Sequence, residues 1–348
     1  MTRTILRAAA ALCLLTALTP AAPALGAPAT TIGGYAAGTL AGSALADDKL
    51  TFGVQAATAK KPDQRPYLAY SATPGAGVAD FVAVLNYSEK PVAFKLYASD
   101  AFNTATGGFD LLARSETPKD AGSWIKLARN EITVPARGTA IVPFSLAVPT
   151  IVTPGDHVGG IVASVSTQVK DASGNVITVD QRTGIRVYLR VAGELKPELK
   201  LENVSMDYLG TLNPFGRGGL TIRYTVRNVG NVRLAGKQAV RLGNLFGTSL
   251  RPGDKPLPEL LPGNSYDVVV PVKGILPALR TSATITVDPV AMPGDKDPKL
   301  FPVSAKATFW AIPWTLLALI LALLIALGVT IVVRRGNRRV TKLKERTA

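Results

Sequence analysis

Residues 311–333 run for 23 positions without a charged side chain. At about 1.5 Å per residue, a helix of that length reaches about 34 Å, enough to cross a bilayer core with some tilt. Trp310 and Trp314 stand at one border, where indole rings favour the membrane interface. At the other border, positions 334–348 hold seven basic residues and one Glu, beginning with Arg334 and Arg335. The positive-inside rule puts this basic tail in the cytoplasm. Residues 1–26 have the form of a removable export signal: Arg3 and Arg7, an apolar run from Ala8 to Leu18, then small residues at Ala22-Pro23-Ala24 and Ala24-Leu25-Gly26. The expectation is a single-pass type I protein of the cell membrane, with its body extracellular and its C-terminus cytoplasmic. The bilayer is then a partner through one helix.

The exported body offers little for chemistry. The one cysteine, Cys13, lies in the segment expected to be removed, which excludes a disulfide scaffold, a cysteine zinc site and a thiol nucleophile. A single histidine excludes a His-rich metal site. The formal net charge is +15; subtracting +2 for the signal and +6 for the tail leaves about +7 on the body, too dilute to argue for nucleic acid. Residues 27–47 are small and bland and read as a flexible linker.

From Leu50 onward, short alternating runs are broken by Gly, Pro, Asn and Asp. Leu220, Ile222, Tyr224 and Val226 alternate with Thr221, Arg223, Thr225 and Arg227. Ile185, Val187, Leu189 and Val191 do the same, as do Val142, Phe144, Leu146 and Val148, where Pro143 predicts an edge strand. A period of two marks half-buried strands. No stretch outside the termini keeps a helical period for three turns. The expected fold is an all-β ectodomain, two immunoglobulin-like β-sandwiches in tandem, plus one transmembrane helix. Glu194-Leu195-Lys196-Pro197 reads as the boundary, giving domains at 48–193 and 197–306. One pattern recurs in both: a strand ends in Asn and a short turn follows, at Asn86 and at Asn228. An Asn side chain there can bond the backbone two residues on.

No catalytic constellation is legible, and neither a cofactor nor a metal is expected. His157 sits in Pro154-Gly155-Asp156-His157-Val158-Gly159-Gly160-Ile161 without a Gly-x-Ser-x-Gly elbow. The glycines suit a tight turn entering a strand; a ligand contact by Asp156 or His157 is the sharper alternative. Trp124 is a core residue or a sugar-stacking platform. Asp171 to Asn175 resembles a calcium loop only faintly and reads as a hairpin loop. Residues 293–298 read as an exposed loop. Arg182, Arg186 and Arg190 form either a solvated strand face or a patch for anionic polymer.

An ordered set of segments carries a family resemblance over about Thr51 to Val169: Phe52-Gly53-Val54, residues 70–75, residues 78–86, Tyr97 to Ala101, Gly107-Gly108-Phe109, Trp124 to Leu127, Val148-Pro149, and residues 154–161. Together they resemble the N-terminal domain of WxL-interacting proteins, also known as domain of unknown function 916. The second half looks more like a generic adhesion-type sandwich, and the Ala/Gly/Arg/Pro-rich composition points to an actinobacterial relative. The resemblance implies a non-enzymatic surface protein whose outer domain binds peptidoglycan or an associated anionic wall polymer. The alternative is a subunit of a surface complex that binds a protein partner without wall affinity.

Overall fold

The structure is a computed structural model describing residues 50–170, 175–244, 255–277 and 279–345. The expected export signal and linker, and most of the 171–175 loop, lie outside the described residues. Asp48–Ala348 forms one compact unit.

The first sandwich is built from β1 (Phe52–Ala57), β2 (Leu68–Ala72), β3 (Gly77–Asn86), β4 (Val92–Asn103), β5 (Phe109–Leu111), a single helical turn α1 (Ala121–Trp124), β6 (Ile125–Leu127), β7 (Glu131–Val134), β8 (Thr139–Ala147), β9 (Gly155–Lys170) and β10 (Val176–Val191). One sheet runs β1-β3-β8-β6 and the other β2-β10-β9-β4-β5, with β7 also on β4. The second sandwich holds β11 (Leu199–Leu209), β12 (Gly218–Asn228), β13 (Leu234–Asn244), β14 (Lys255–Leu260), β15 (Ser265–Ile275), β16 (Leu279–Ala291) and β17 (Val303–Ala311). Its sheets run β11-β12-β15 and β14-β13-β16-β17. Every pairing is antiparallel except that of β2 with β10.

The alternating runs do what their period demands. Leu220, Ile222, Tyr224 and Val226 are buried in the second core, while Ile185, Val187, Leu189, Val142, Phe144 and Leu146 share the first. Pro143 is a correction: β8 is not an edge but lies between β3 and β6. Its outer neighbour spans three residues, and the Pro143 carbonyl accepts from Ala128 N at 3.0 Å, just past the end of β6. A missing N–H is tolerated there because no partner strand continues opposite it.

Both Asn corners form as their side chains require. Asn86 Oδ1 accepts from Ser88 N at 3.0 Å, and Asn228 Oδ1 accepts from Gly230 N at 3.1 Å, in each case two residues on. Each amide also donates to the carbonyl four residues on, Lys90 O or Val232 O, at 2.7 Å. A further bond reaches a neighbouring strand or its end, Val134 O at 3.2 Å or Leu260 O at 3.0 Å.

The apolar C-terminal stretch divides in two. Ala311 is the buried last residue of β17, so the second sandwich runs past residue 306. Ile312 and Pro313 break the strand, and α2 (Trp314–Glu345) begins at once. Proline is pre-organised for a helix start, and the Pro313 carbonyl accepts the Leu317 N–H at 2.9 Å. Trp314–Arg335 is long and apolar enough to cross a membrane and is not buried against the sandwiches. Trp310, on β17, and Trp314 are both exposed, as are Arg334 and Arg335 at the far end of the apolar stretch.

Candidate functional site

The Gly-rich corner at the start of β9 sends its two polar residues to opposite faces. His157 turns toward α1. That turn is pinned by Asp100 of β4, whose carboxylate accepts from Lys119 N, Asp120 N and Gly122 N at 2.5, 2.9 and 2.7 Å. Gly122 packs directly on β4; a Cβ there would meet the Ser99 carbonyl carbon at 2.3 Å. The turn thereby places Asp120 Oδ1 at 2.6 Å from His157 Nδ1 and the Trp124 ring at 4.7 Å from the imidazole. His157 Nε2 meets the Thr153 carbonyl at 2.9 Å. Burial works against the imidazolium, but the hydrogen bonds to Asp120 and Thr153 outweigh it, so the pKa is raised above 6.5. With both ring nitrogens committed to acceptors, His157 ties the corner to α1. Trp124 is half-buried against the first core. The structure thus brings Trp124 and His157 together, and Asp156 faces away from both.

Asp156 enters a buried ionic cluster between the sandwiches. Its carboxylate accepts from Arg190 Nε and Nη2 at 2.7 and 2.8 Å, and from the backbone N–H of Arg233 at 2.8 Å. Arg190 Nη1 continues to Asp297 at 2.7 Å and Nη2 to Asp295 at 3.2 Å. Arg233 donates to Asp295 through Nε and Nη2 at 3.1 and 3.2 Å, and to Glu259 through Nη1 at 3.3 Å. Its guanidinium lies 3.8 Å over the Tyr188 ring, and the Tyr188 hydroxyl donates to Glu259 at 2.9 Å. Four carboxylates face the two buried guanidinium groups of Arg190 and Arg233, with the more exposed Arg186 at 3.5 Å from Glu259 on the rim. Asp297 is the most deeply placed, with its side chain 1% exposed and Oδ2 without a partner. Burial, which Arg190 only partly offsets, pushes its pKa up.

Around this cluster the two sandwiches interlock through backbone and amide groups. Asp156 N donates to Asn231 O at 2.8 Å, and Asn231 Nδ2 to Pro154 O at 2.9 Å. Gly155 has φ +113°, and a Cβ on it would meet Asn231 O at 2.2 Å, so only glycine fits. Asn103 donates to Glu259 O at 2.7 Å and accepts from Leu261 N at 2.8 Å. Val158, Tyr188 and Leu261 form a small apolar core across the joint.

Two sequence expectations are corrected. Residues 293–298 are not simply an exposed loop, because Asp295 and Asp297 close the cluster. The arginines of β10 are not free cations either. Arg182 pairs with Asp110 at 3.1 Å, Arg186 lies 4.0 Å over the Phe109 ring and 3.5 Å from Glu259, and Arg190 is consumed at the joint. Sequence reasoning missed two separate sets: Asp100 and Asp120 around His157, and Arg190, Arg233, Glu259, Asp295 and Asp297 around Asp156. Bonded partners within them stand up to 107 residues apart, as Arg190 and Asp297 do, which leaves no local signal.

Two of the concavities among the described residues carry polar linings near these groups. A cleft of about 330 Å³ at the joint touches β2 through Ala69, Tyr70 and Ser71, beside Lys296. A larger groove of about 610 Å³ lies wholly on the first sandwich, next to Trp124, lined by Tyr97, Arg114, Glu116, Ser123, Lys126 and Asn130. Among the described residues, neither Arg114 nor Lys126 is ion-paired.

No family profile matches the chain, and no curated protein matches it. Distant solved structures do. A chaperone–tip adhesin complex of CFA/I fimbriae shares 12% identity at a TM-score of 0.37, covering 73% of this chain and 98% of that one. The class 5 fimbriae chaperone CfaA shares 13% at 0.35, covering 69% and 95%. The E. coli chaperone DraB shares 9% at 0.29, covering 73% and 96%. Likenesses this remote assign no function to the present chain.

Proposed function

We propose that this is a non-enzymatic, membrane-anchored surface protein whose first sandwich binds peptidoglycan or an associated anionic wall polymer. In this reading α2 crosses the membrane with Arg334 and Arg335 on the cytoplasmic side. The observation that carries the binding is the groove beside Trp124. Its volume lies in the range of small-molecule sites, and Arg114 and Lys126 line it with uncommitted cationic heads. Asp156 and His157 are spent on structure, so the ligand contact moves from those residues to the groove. The sequence resemblance of Thr51–Val169 to a wall-binding domain supports the same reading.

The test is co-sedimentation of the detergent-solubilised full chain with purified sacculi, bare or bearing anionic polymer, across a salt series. Saturable binding is expected, weakened about tenfold, equivalent to about 1.4 kcal/mol, by Arg114→Glu with Lys126→Glu. No binding to either preparation would sink the reading.

A second reading has its own observation. β2 stands at the edge of its sheet beside the joint cleft, and edge strands accept an added strand from a partner. A protein that co-purifies in stoichiometric amount and is lost on Ser71→Pro would favour it.

A further inference from the structure

The helix leaves one end of the second sandwich, and that end is unlike the rest of the surface. β11, β15 and β17 all run toward it, and β12 and β16 start from it: Leu209 pairs with Gly219, Gly218 with Ile275, and Leu279 with Ala311. The opposite end carries Asn228, Asn231 and Leu261 and is covered by the first sandwich. Among the described residues outside α2, the four most exposed large apolar side chains are Ile151 (94%), Leu212 (91%), Phe215 (79%) and Leu209 (77%). Leu212 and Phe215 lie in the single turn between β11 and β12, and Leu209 is the strand residue that leads into it. Leu276, Leu279 and Trp310 are exposed on neighbouring strand ends. Leu279 is held at φ +59°, a conformation leucine rarely adopts.

Charge along the described strand ends here is mostly basic, and the nearby Asp207 is paired with Arg223. The segments 209–219, 272–282 and 306–317 contain Arg217, Lys273, Arg280 and Lys306 and no acidic residue. Leaving large apolar side chains so exposed is unfavourable in water relative to burial. A patch of that kind marks a binding surface. Here the occupant follows from position. Only Ile312 and Pro313 separate Ala311 from the first residue of α2. Two residues span at most about 7 Å, so a membrane crossed by α2 lies directly against this end. Apolar and indole side chains with basic neighbours are the composition of a surface that settles into an interfacial zone rich in anionic headgroups.

We propose that the turn between β11 and β12 docks into the outer leaflet of the membrane that α2 crosses. Leu209, Leu212 and Phe215 enter the acyl boundary while Arg217, Lys273 and Arg280 meet lipid phosphates. This inference rests on the anchoring role of α2. It makes the sandwich a body seated on the bilayer by two contacts, a spanning helix and a wedge.

The full chain would be reconstituted, one copy per nanodisc, in phosphatidylcholine with and without phosphatidylglycerol. Polarity-sensitive probes would be placed by Leu212→Cys, Phe215→Cys, Ile151→Cys and Leu323→Cys in a Cys13→Ala background. Lipid-borne quenchers should quench the probes at 212 and 215 several-fold more than the probe at 151, and more strongly with phosphatidylglycerol present. The probe at 323 reports on the helix itself. If 323 is quenched and 212 and 215 behave like 151, docking is wrong while anchoring stands. If 323 is not quenched, anchoring fails and docking with it. Probes at 212 and 215 shielded from aqueous iodide yet untouched by lipid quenchers would mean that protein covers this end, which also overturns the proposal.

Discussion

Asp156 and His157 are neighbours on one strand and serve opposite faces of it, one locking two sandwiches and the other holding α1. The histidine makes the protein's stability pH-dependent. Its folded-state pKa is raised above 6.5. A basic group shifted upward gives stability that is complete below the unfolded value and is lost as pH rises through the folded one. The melting temperature of the full chain in detergent should therefore fall as pH rises from about 6.5, the reference value of the imidazole. His157→Asn should flatten that slope and cost about 1–3 kcal/mol, as expected for losing hydrogen bonds to a charged group. A pH profile identical in the variant would show that the imidazole is not the titrating group. Nothing in the sequence pairs His157 with Asp120. What could be read was only that a lone histidine on a Gly-rich turn has a structural explanation at hand.

At the scale of elements, the period-two runs and the Asn corners were legible because both are local. An alternating strand states which side chains it buries, and an Asn that ends a strand reaches its own backbone two residues later. The further bond of each Asn, across to Val134 or Leu260, depends on which strand lies next door, and no local pattern carries that. Pro143 was misread for the same reason: its tolerance comes from the shortness of β6. Asn228 is fully buried and holds two carbonyls. Asn228→Ala leaves both unsatisfied and should cost about 2–4 kcal/mol, read by chemical denaturation, given about 1–3 kcal/mol for each abandoned buried group. Asn86→Ala should behave alike, since its contacts repeat the motif. A loss under about 0.5 kcal/mol, the scatter of surface substitutions, would show that the corners do not depend on these amides.

For the whole molecule, the ionic joint makes one cooperative body of two sandwiches. Removing a single member of a buried ion cluster leaves its partners charged and uncompensated, typically at about 3–5 kcal/mol. Arg233→Met should therefore split a single melting transition into two, as calorimetry would show. Asp297→Asn should be harmless or stabilising, because an amide oxygen can still accept from Arg190 and a poorly compensated buried charge disappears. Equal destabilisation by both substitutions would refute this view of the cluster. The tandem arrangement and the apolar C-terminal helix could be anticipated from the chain. The joint could not, since Asp156, Arg190, Arg233 and Asp295 are brought together only by the docking of one folded sandwich on the other.

The two-residue junction between β17 and α2 also has a mechanical meaning. With the helix held in a membrane, tension on the first sandwich enters the second at Leu199, the start of β11, and leaves it at Ala311, the end of β17. Those points lie at opposite ends of the sandwich, so the pull runs along the strands. Hydrogen bonds between β16 and β17 are then loaded together, from Leu279 to Val303, and cannot be opened one after another. With so little slack before the helix, a tug on the sandwiches would reach a bilayer crossed by α2 almost undamped.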